Sequence, residues 1–412
     1  MVEASAELAP ASLVLLRHPR GGEGAQGRPT PPVTLLSLAG AARDAGAHDV
    51  RVLDGALLRD DRELATRLRA ARPETIVLDG EDRSAAELAS DVRTLRSLAP
   101  EARLVVRPPH GRDLREEVPG ADVVLGGAPS SLGALLRSDG EPGSIPGLAW
   151  RDADGALRTG RATPETPVLE HAATLAWDLV DPRTYGLPLG SAALVTARAC
   201  PPGCPSCHHS FGRTVRFRPL DELEAEVRRL VAGGARELVL LDEAFDHDPA
   251  HALAVARLLE RVGPGRLVLA NPLLGVGVES ELAQALSAAG LRTATLQAGP
   301  PPRLQGLLRR HQDRNALLAG GSALTSAGVA LELELTLGWP GEDAADRRAT
   351  ARLAWALPWT RLRVQTAWES PAAAGLSSML PTPSRGRVLR DAWGLRLLSA
   401  LRPSPWLRRL RR

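Results

Sequence analysis

Short runs of consecutive apolar residues alternate, over the first third of the chain, with longer stretches in which apolar positions recur every three or four residues. SLVLL from Ser12 leads to PPVTLLSLAGAARDAG, then DVRVLD, DRELATRLRAA, TIVLD, SAAELASDVRTLRSL, RLVVR and DVVLGG. A run too short for a helix and apolar without alternation predicts a strand buried on both faces, and the intervening pattern predicts amphipathic helices. Strand and helix in regular succession call for a parallel sheet covered by helices. Residues 1–137 are therefore expected to form a small doubly wound α/β domain.

Glycine and proline punctuation (DGEPGSIPG, RATPETP, DPRTYGLPLG) then breaks the rhythm, so 138–190 reads as a connector with a hairpin around Gly147 to Arg158. A second alternating series opens at Ser191. It comprises SAALVTA, a helix from Asp221 to Val231, ELVLL, a helix over 249–262, RLVLA, a helix at 279–289, TATLQ, a helix near 314–327, ALELELTLG, a helix near 343–356, and RLRVQ. Six β/α units over 191–370 fit a partial or complete parallel barrel, the partial (β/α)6 form, better than another open sheet, although periodicity does not separate the two. Residues 371–412 are read as a helical tail, Arg-rich and ending in WLRRLRR; a solvated helix and a surface for an acidic partner are both open.

Composition narrows the class. With 412 residues and 44% apolar content the chain has enough material for two buried cores. Its basic residues are all arginine, and the net charge of +3 is small for the length, so nucleic-acid binding is not implied. The N-terminus lacks the pattern of a secretory signal, and no apolar run approaches the roughly 20 residues that span a bilayer; a cytoplasmic protein without a membrane span is expected. The three cysteines fall within eight residues of one another, which excludes a distributed disulfide framework.

Those cysteines carry the chemistry. Cys200, Cys204 and Cys207 lie on a Gly- and Pro-containing segment at the end of the first strand of the second series, followed by His208 and His209. Three thiolates with either histidine make a tetrahedral zinc set, which would mark a zinc-stabilised binding protein. Three thiolates alone hold a cuboidal iron–sulfur cluster with one iron left open to a substrate or cosubstrate.

The CxxxCxxC spacing at that position resembles the signature of the radical S-adenosylmethionine enzymes, in particular the subfamily with an N-terminal cobalamin-binding domain. The likeness extends through GRTVRFRPLDELEAEVRRLVAGGARELVLLDEAFDHD to LQAGPPPRLQGLLRRHQDRNALLAGGSALTSAGVALELELTLGWPGED, with its closing GxPGE turn. It implies a 4Fe-4S cluster on Cys200, Cys204 and Cys207. It also implies S-adenosylmethionine contacts from Asp242 and Glu243 (ammonium), Gln297 (ribose hydroxyls), and Gly338, Pro340 and Gly341 (backbone close to ligand). Two positions depart from the pattern: Ser206 stands where an aromatic residue usually precedes the third cysteine, and Gln297 is followed by Ala298 where Ser is expected.

PPVTLLSLAGAARDAGAHDVRVLDG resembles the start of the cobalamin domain and puts Asp54 at its site. Yet Arg107-Pro108-Pro109-His110-Gly111 replaces a glycine pair after the fourth strand, and no Asp-x-His-x-x-Gly ligand motif occurs. The implied function is a radical enzyme that cleaves S-adenosylmethionine to a 5′-deoxyadenosyl radical. A cobalamin-dependent methyltransferase on a small secondary metabolite is preferred over a cobalamin-free dehydratase, epimerase or ring-forming enzyme. The expected partners are that small molecule and an electron donor such as flavodoxin or ferredoxin.

Overall fold

A computed structural model describes residues 13–18, 31–80, 83, 85–108, 118, 120–126, 129–137, 142–152, 154–161, 175–201, 215–275, 277–308, 311–367 and 383–401. The chain divides into two compact units, Met1–Leu189 and Gly190–Arg412.

In the first unit, strands β1 (Leu13–Arg17), β2 (Val50–Asp54), β3 (Thr75–Asp79), β4 (Arg103–Arg107) and β5 (Val123–Leu125) pair in parallel in the order β2-β1-β3-β4-β5. Helices α1 (Val33–Asp44), α2 (Asp61–Ala71), α3 (Ala85–Leu98) and α4 (Pro129–Arg137) cover it. The unbroken apolar strands are explained by burial on both faces. Val14, Leu16, Ile76, Leu78, Leu104 and Val106 pack with Leu64, Leu68, Leu88, Val92 and Leu95 of α2 and α3. Leu13, Leu15, Val77 and Val105 pack on the other side with Leu35, Leu38, Leu132 and Leu135 of α1 and α4. Asp60 starts α2 by accepting from the backbone N–H groups of Arg62 and Glu63, satisfying donors that a first turn leaves unpaired.

The hairpin expected around residues 147–158 forms as β6 (Leu148–Arg151) and β7 (Leu157–Thr159). It adds antiparallel to β5, extending the sheet to seven strands. The strand order reverses direction between β1 and β3, and at their carboxyl ends follow His18 and Gly80, at the switch point where open α/β sheets receive ligands.

The second unit contains β8 (Ser191–Leu194), β9 (Ala197–Arg198), β10 (Arg216–Phe217), α5 (Leu220–Ala232), β11 (Glu237–Leu240), α6 (Pro249–Val262), β12 (Leu267–Leu269), α7 (Ser280–Ala288), β13 (Thr293–Ala298), α8 (Pro302–Gln305), α9 (Arg314–Ser326), β14 (Ala330–Leu337), α10 (Ala344–Ala356), β15 (Arg361–Thr366) and a last helix, Arg385–Leu401. Among the described residues the long strands form two parallel sheets, ordered β12-β11-β8 and β13-β14-β15. Single bridges, Leu267 to Leu291 and Leu273 to Leu296, join the segments around β12 to those around β13.

β14 shows how the pattern sets the faces. Leu331, Leu333, Leu335 and Leu337 are buried in the helix-packed core, so Glu332, Glu334 and Thr336 point to the opposite face. Register sets Gln297 beside Glu334 and Glu334 beside Arg363 on that face. Asp248 with Pro249, Asp313, and the Asp343–Asp346 capping box start α6, α9 and α10. Among the described residues no helix is long and apolar enough to cross a membrane.

Candidate functional site

β8 and β11 run in parallel with Leu194 beside Leu240, and Leu241 N–H donates to Leu194 O, extending the ladder by one residue. The residues leaving the two strands are thereby neighbours: Val195 to Arg198 on one side, Asp242 and Glu243 on the other. Asp242 is buried and accepts from the backbone N–H of Thr196 at 2.7 Å and of Ala197 at 3.1 Å. It also accepts a very short bond from the Thr196 hydroxyl. Burial pushes its carboxyl up to about 6 against the opposing pull of those donors. Glu243 accepts from Arg198 Nη1 at 2.7 Å and from Ala199 N–H at 3.1 Å.

Ala199 has φ +86°, the left-handed region that costs an L-residue about 1–2 kcal/mol. It directly precedes Cys200, which is partly exposed. Cys204 and Cys207, with Ser206, His208 and His209, lie outside the described residues.

The return of this segment is held as firmly as its departure. β9 pairs antiparallel with β10, Arg198 opposite Arg216 and Ala197 opposite Phe217. Arg218 N–H donates to Thr196 O at 2.9 Å, the Arg218 guanidinium donates to Val195 O at 3.1 Å, and it forms a buried ion pair with Glu226 at 2.6 Å. The Phe217 ring lies 4.5 Å from that of His251, whose Nε2 is 3.4 Å from the Thr196 hydroxyl. Burial holds the His251 imidazole below its ordinary value.

Gln297, at the end of β13, donates from Nε2 to Glu334 at 2.7 Å. Gln312 ties the same region together, donating to Leu274 O and Gln297 O and accepting from Gly299 N–H. Gly338 and Gly341, at φ +82° and +79°, bracket Trp339 and Pro340 in the turn that leaves β14. Glu342 closes that turn by accepting from Gly338 N–H at 2.6 Å, and burial pushes its carboxyl up to about 7. Arg309 and Arg310 lie outside the described residues.

Asp54 belongs to the first unit. It accepts two bonds from Arg17 (2.8 and 2.6 Å), one from Ala56 N–H and one from the buried Tyr185 hydroxyl. That burial, together with the Asp54 charge, raises the Tyr185 phenol above its ordinary range. Nearby, Arg107 pairs with Asp79 at 2.9 Å, and His18 is bracketed by Arg83 on Nδ1 (3.1 Å) and Asp91 on Nε2 (3.3 Å). Pro109, His110, Gly111, Gly127 and Ala128 lie outside the described residues.

The residues that sequence reading missed are Thr196, Arg198, Ala199, His251, Gln312 and Glu334. None belongs to a short motif; each is found only through strand register or through a contact between distant segments. The exception is Glu334, whose place among alternating leucines marks it as facing away from the core.

No family model matches the chain. Over 191 residues it is 29% identical to a tRNA-2-methylthio-N(6)-dimethylallyladenosine synthase of Sorangium cellulosum (strain So ce56), a match spanning 40% of the chain and 38% of that relative. The radical S-adenosylmethionine methyltransferase TsrM from Kitasatospora setae, solved with tryptophan substrate and aza-SAM, superposes with TM-score 0.64 at 21% identity, over 86% of this chain and 73% of TsrM. A second TsrM structure contains cobalamin and a [4Fe-4S] cluster, and superposes with TM-score 0.63 at 20% identity over 86% of this chain and 75% of that one. The cobalamin-dependent radical enzyme OxsB with aqua-cobalamin gives 0.58 at 12% identity, over 83% of this chain and 52% of OxsB. The chain is a mixed α/β protein with the fold of the cobalamin-dependent radical S-adenosylmethionine enzymes.

Proposed function

We propose that the chain is a radical S-adenosylmethionine enzyme, and within that class a cobalamin-dependent methyltransferase acting on a small molecule. The observation that carries the reading is the placement of Cys200 at the carboxyl end of the β8–β11 pair, beside Asp242 and Glu243. Functional groups of parallel β/α folds gather at that end of their strands. The donor set fits a 4Fe-4S cluster: three cysteines in one short segment. The cluster and cosubstrate together supply, when bound, a 5′-deoxyadenosyl radical.

The chain's own residues bind, orient and exclude water. In this reading the two parallel sheets are the halves of a partial barrel. Gln297 holds ribose hydroxyls at the β13 end, and Gly338, Pro340 and Gly341 let backbone approach the cosubstrate where β14 ends. A substrate with hydrogen-bonding groups would be met by Glu334 and Thr336 on the polar face of β14.

A corrin would lie on the carboxyl edge of the first sheet, beside Asp54 and the β1/β3 switch point. Its support is the strand order of that unit and the cobalamin in the similar structures. Among the described residues no imidazole is open to cobalt there, since both nitrogens of His18 already have partners. The Arg107–Asp79 pair across the β3 and β4 ends favours the second reading, a radical enzyme working without cobalamin.

Anaerobic reconstitution with iron and sulfide tests the class. Cys200→Ala, and separately Cys204→Ala and Cys207→Ala, should lose the cluster's visible absorbance and fall to background in dithionite-driven 5′-deoxyadenosine formation. A triple variant that still forms 5′-deoxyadenosine would sink the reading, and a colourless wild-type protein carrying about one zinc would replace it with a zinc-stabilised binding protein.

A further inference from the structure

We infer that Asp242 and Glu243 are positioning residues that set the backbone leading into Cys200, the role of Glu243 being to hold Ala199 in its left-handed conformation. The inference rests on the proposed cluster but assigns these acids a role other than touching the cosubstrate.

Three observations converge. Asp242 is 3% exposed, and its two oxygens accept three bonds from Thr196 and Ala197; protein donors take most of its roughly four acceptor sites, with little surface left for a ligand. Glu243 bonds the next two residues, Arg198 through its guanidinium and Ala199 through its N–H. The acid pair thus contacts Thr196, Ala197, Arg198 and Ala199 in succession and stops at the residue before the first thiol. Ala199 itself has φ +86°, a conformation an alanine keeps only when its surroundings impose it. Its N–H donates to the one carboxylate that also fixes its neighbour's side chain.

The arrangement explains the burial of Asp242. An acid that accepts two backbone N–H bonds and a hydroxyl is strengthened and kept rigid by enclosure. It also explains why Arg198 is buried: its charge is balanced by Glu243, and its backbone is fixed by the β9–β10 pairing.

The test compares full-length wild type, Glu243→Ala, Ala199→Gly and the Ala199→Gly/Glu243→Ala double variant, all reconstituted anaerobically. Iron loss to a ferrous chelator is followed by cluster absorbance, and S-adenosylmethionine affinity by equilibrium dialysis of cluster-bearing protein. Glu243→Ala should lose iron about tenfold faster, the scale of one charge-assisted hydrogen bond, with cosubstrate affinity within about twofold of wild type. The double variant should recover part of the wild-type rate, because glycine adopts a φ near +86° without help, while the Glu243 carboxylate that balances Arg198 is absent from both variants.

In the apoprotein, amide exchange at Ala199 should quicken about tenfold in Glu243→Ala. Unchanged iron loss in Glu243→Ala, or no recovery in the double variant, overturns the inference. Weakened cosubstrate binding with unchanged iron loss gives the acid to the ammonium instead. If Glu243→Ala does not fold, Glu243→Leu, of similar size and with no acceptor for the Ala199 N–H, takes its place in the same comparison. A wild-type protein that takes up no cluster defeats the proposed function, while exchange at Ala199 still decides the positioning role.

Discussion

The acids at the carboxyl ends of β11 and β14 sit in different balances, and Glu342 gives the clearest pH prediction. Its folded-state carboxyl titrates near 7, above the ordinary glutamate value, because burial penalises the charge more than the Gly338 N–H and Arg347 favour it. A raised folded value means stability fully present below the unfolded pKa and lost as pH rises through about 7. Asp242, near 6, has the same sign. The apoprotein's melting temperature should therefore fall between pH 5 and 8, and Glu342→Gln should flatten the upper part of that slope. A slope unchanged by the substitution would remove Glu342 as its source.

At the scale of elements, β1, β3, β4, β8 and β11 are legible as apolar runs bounded by turn residues and β14 as alternating leucines, whereas the two-residue β9 and β10 are not; the two-sided burial of β1, β3 and β4 follows from their lack of alternation. The β6–β7 hairpin is legible as a hairpin, yet its addition to the sheet is not, since edge pairing depends on where β5 ends in space. Asp242 and Glu243 are recognisable as strand-end acids. Which donors they meet depends on the β8–β11 register, which no local pattern encodes.

Two substitutions probe these elements. Leu333→Ala, in the middle of β14 and fully buried, should cost about 2–5 kcal/mol in denaturant unfolding. Gly290→Ala should destabilise by about 1 kcal/mol or more: Gly290 has φ +103°, and an added Cβ would lie 2.2 Å from Gly265 O. A neutral result at Gly290 would mean that the α7–β13 turn readily changes its path.

For the whole molecule, the two units have separate hydrophobic cores, Leu13 and Val14 to Ala176 in one and Ala192 to Leu395 in the other. The proposed cofactors divide the same way, cobalamin to the first unit and the cluster to the second. Hydroxocobalamin added to cluster-replete protein without oxygen should bind near one equivalent and be required for turnover. Turnover without it would select the cobalamin-free reading and give the Arg107–Asp79 pair the meaning of a closed edge. Asp54→Ala would leave the half-buried Arg17 and the buried Tyr185 without their shared acceptor and should cost the first unit about 3 kcal/mol, readable in its unfolding whether or not corrin binds.

The left-handed alanine before Cys200 has a genetic corollary. Alanine and glycine codons differ only at the middle base, so the change that would free this backbone from its dependence on Glu243 is one nucleotide away. In a randomly mutagenised library built on Glu243→Ala and sorted for retained cluster colour, second-site revertants should recur at codon 199 as glycine, a spectrum that would report the local geometry without any structural measurement.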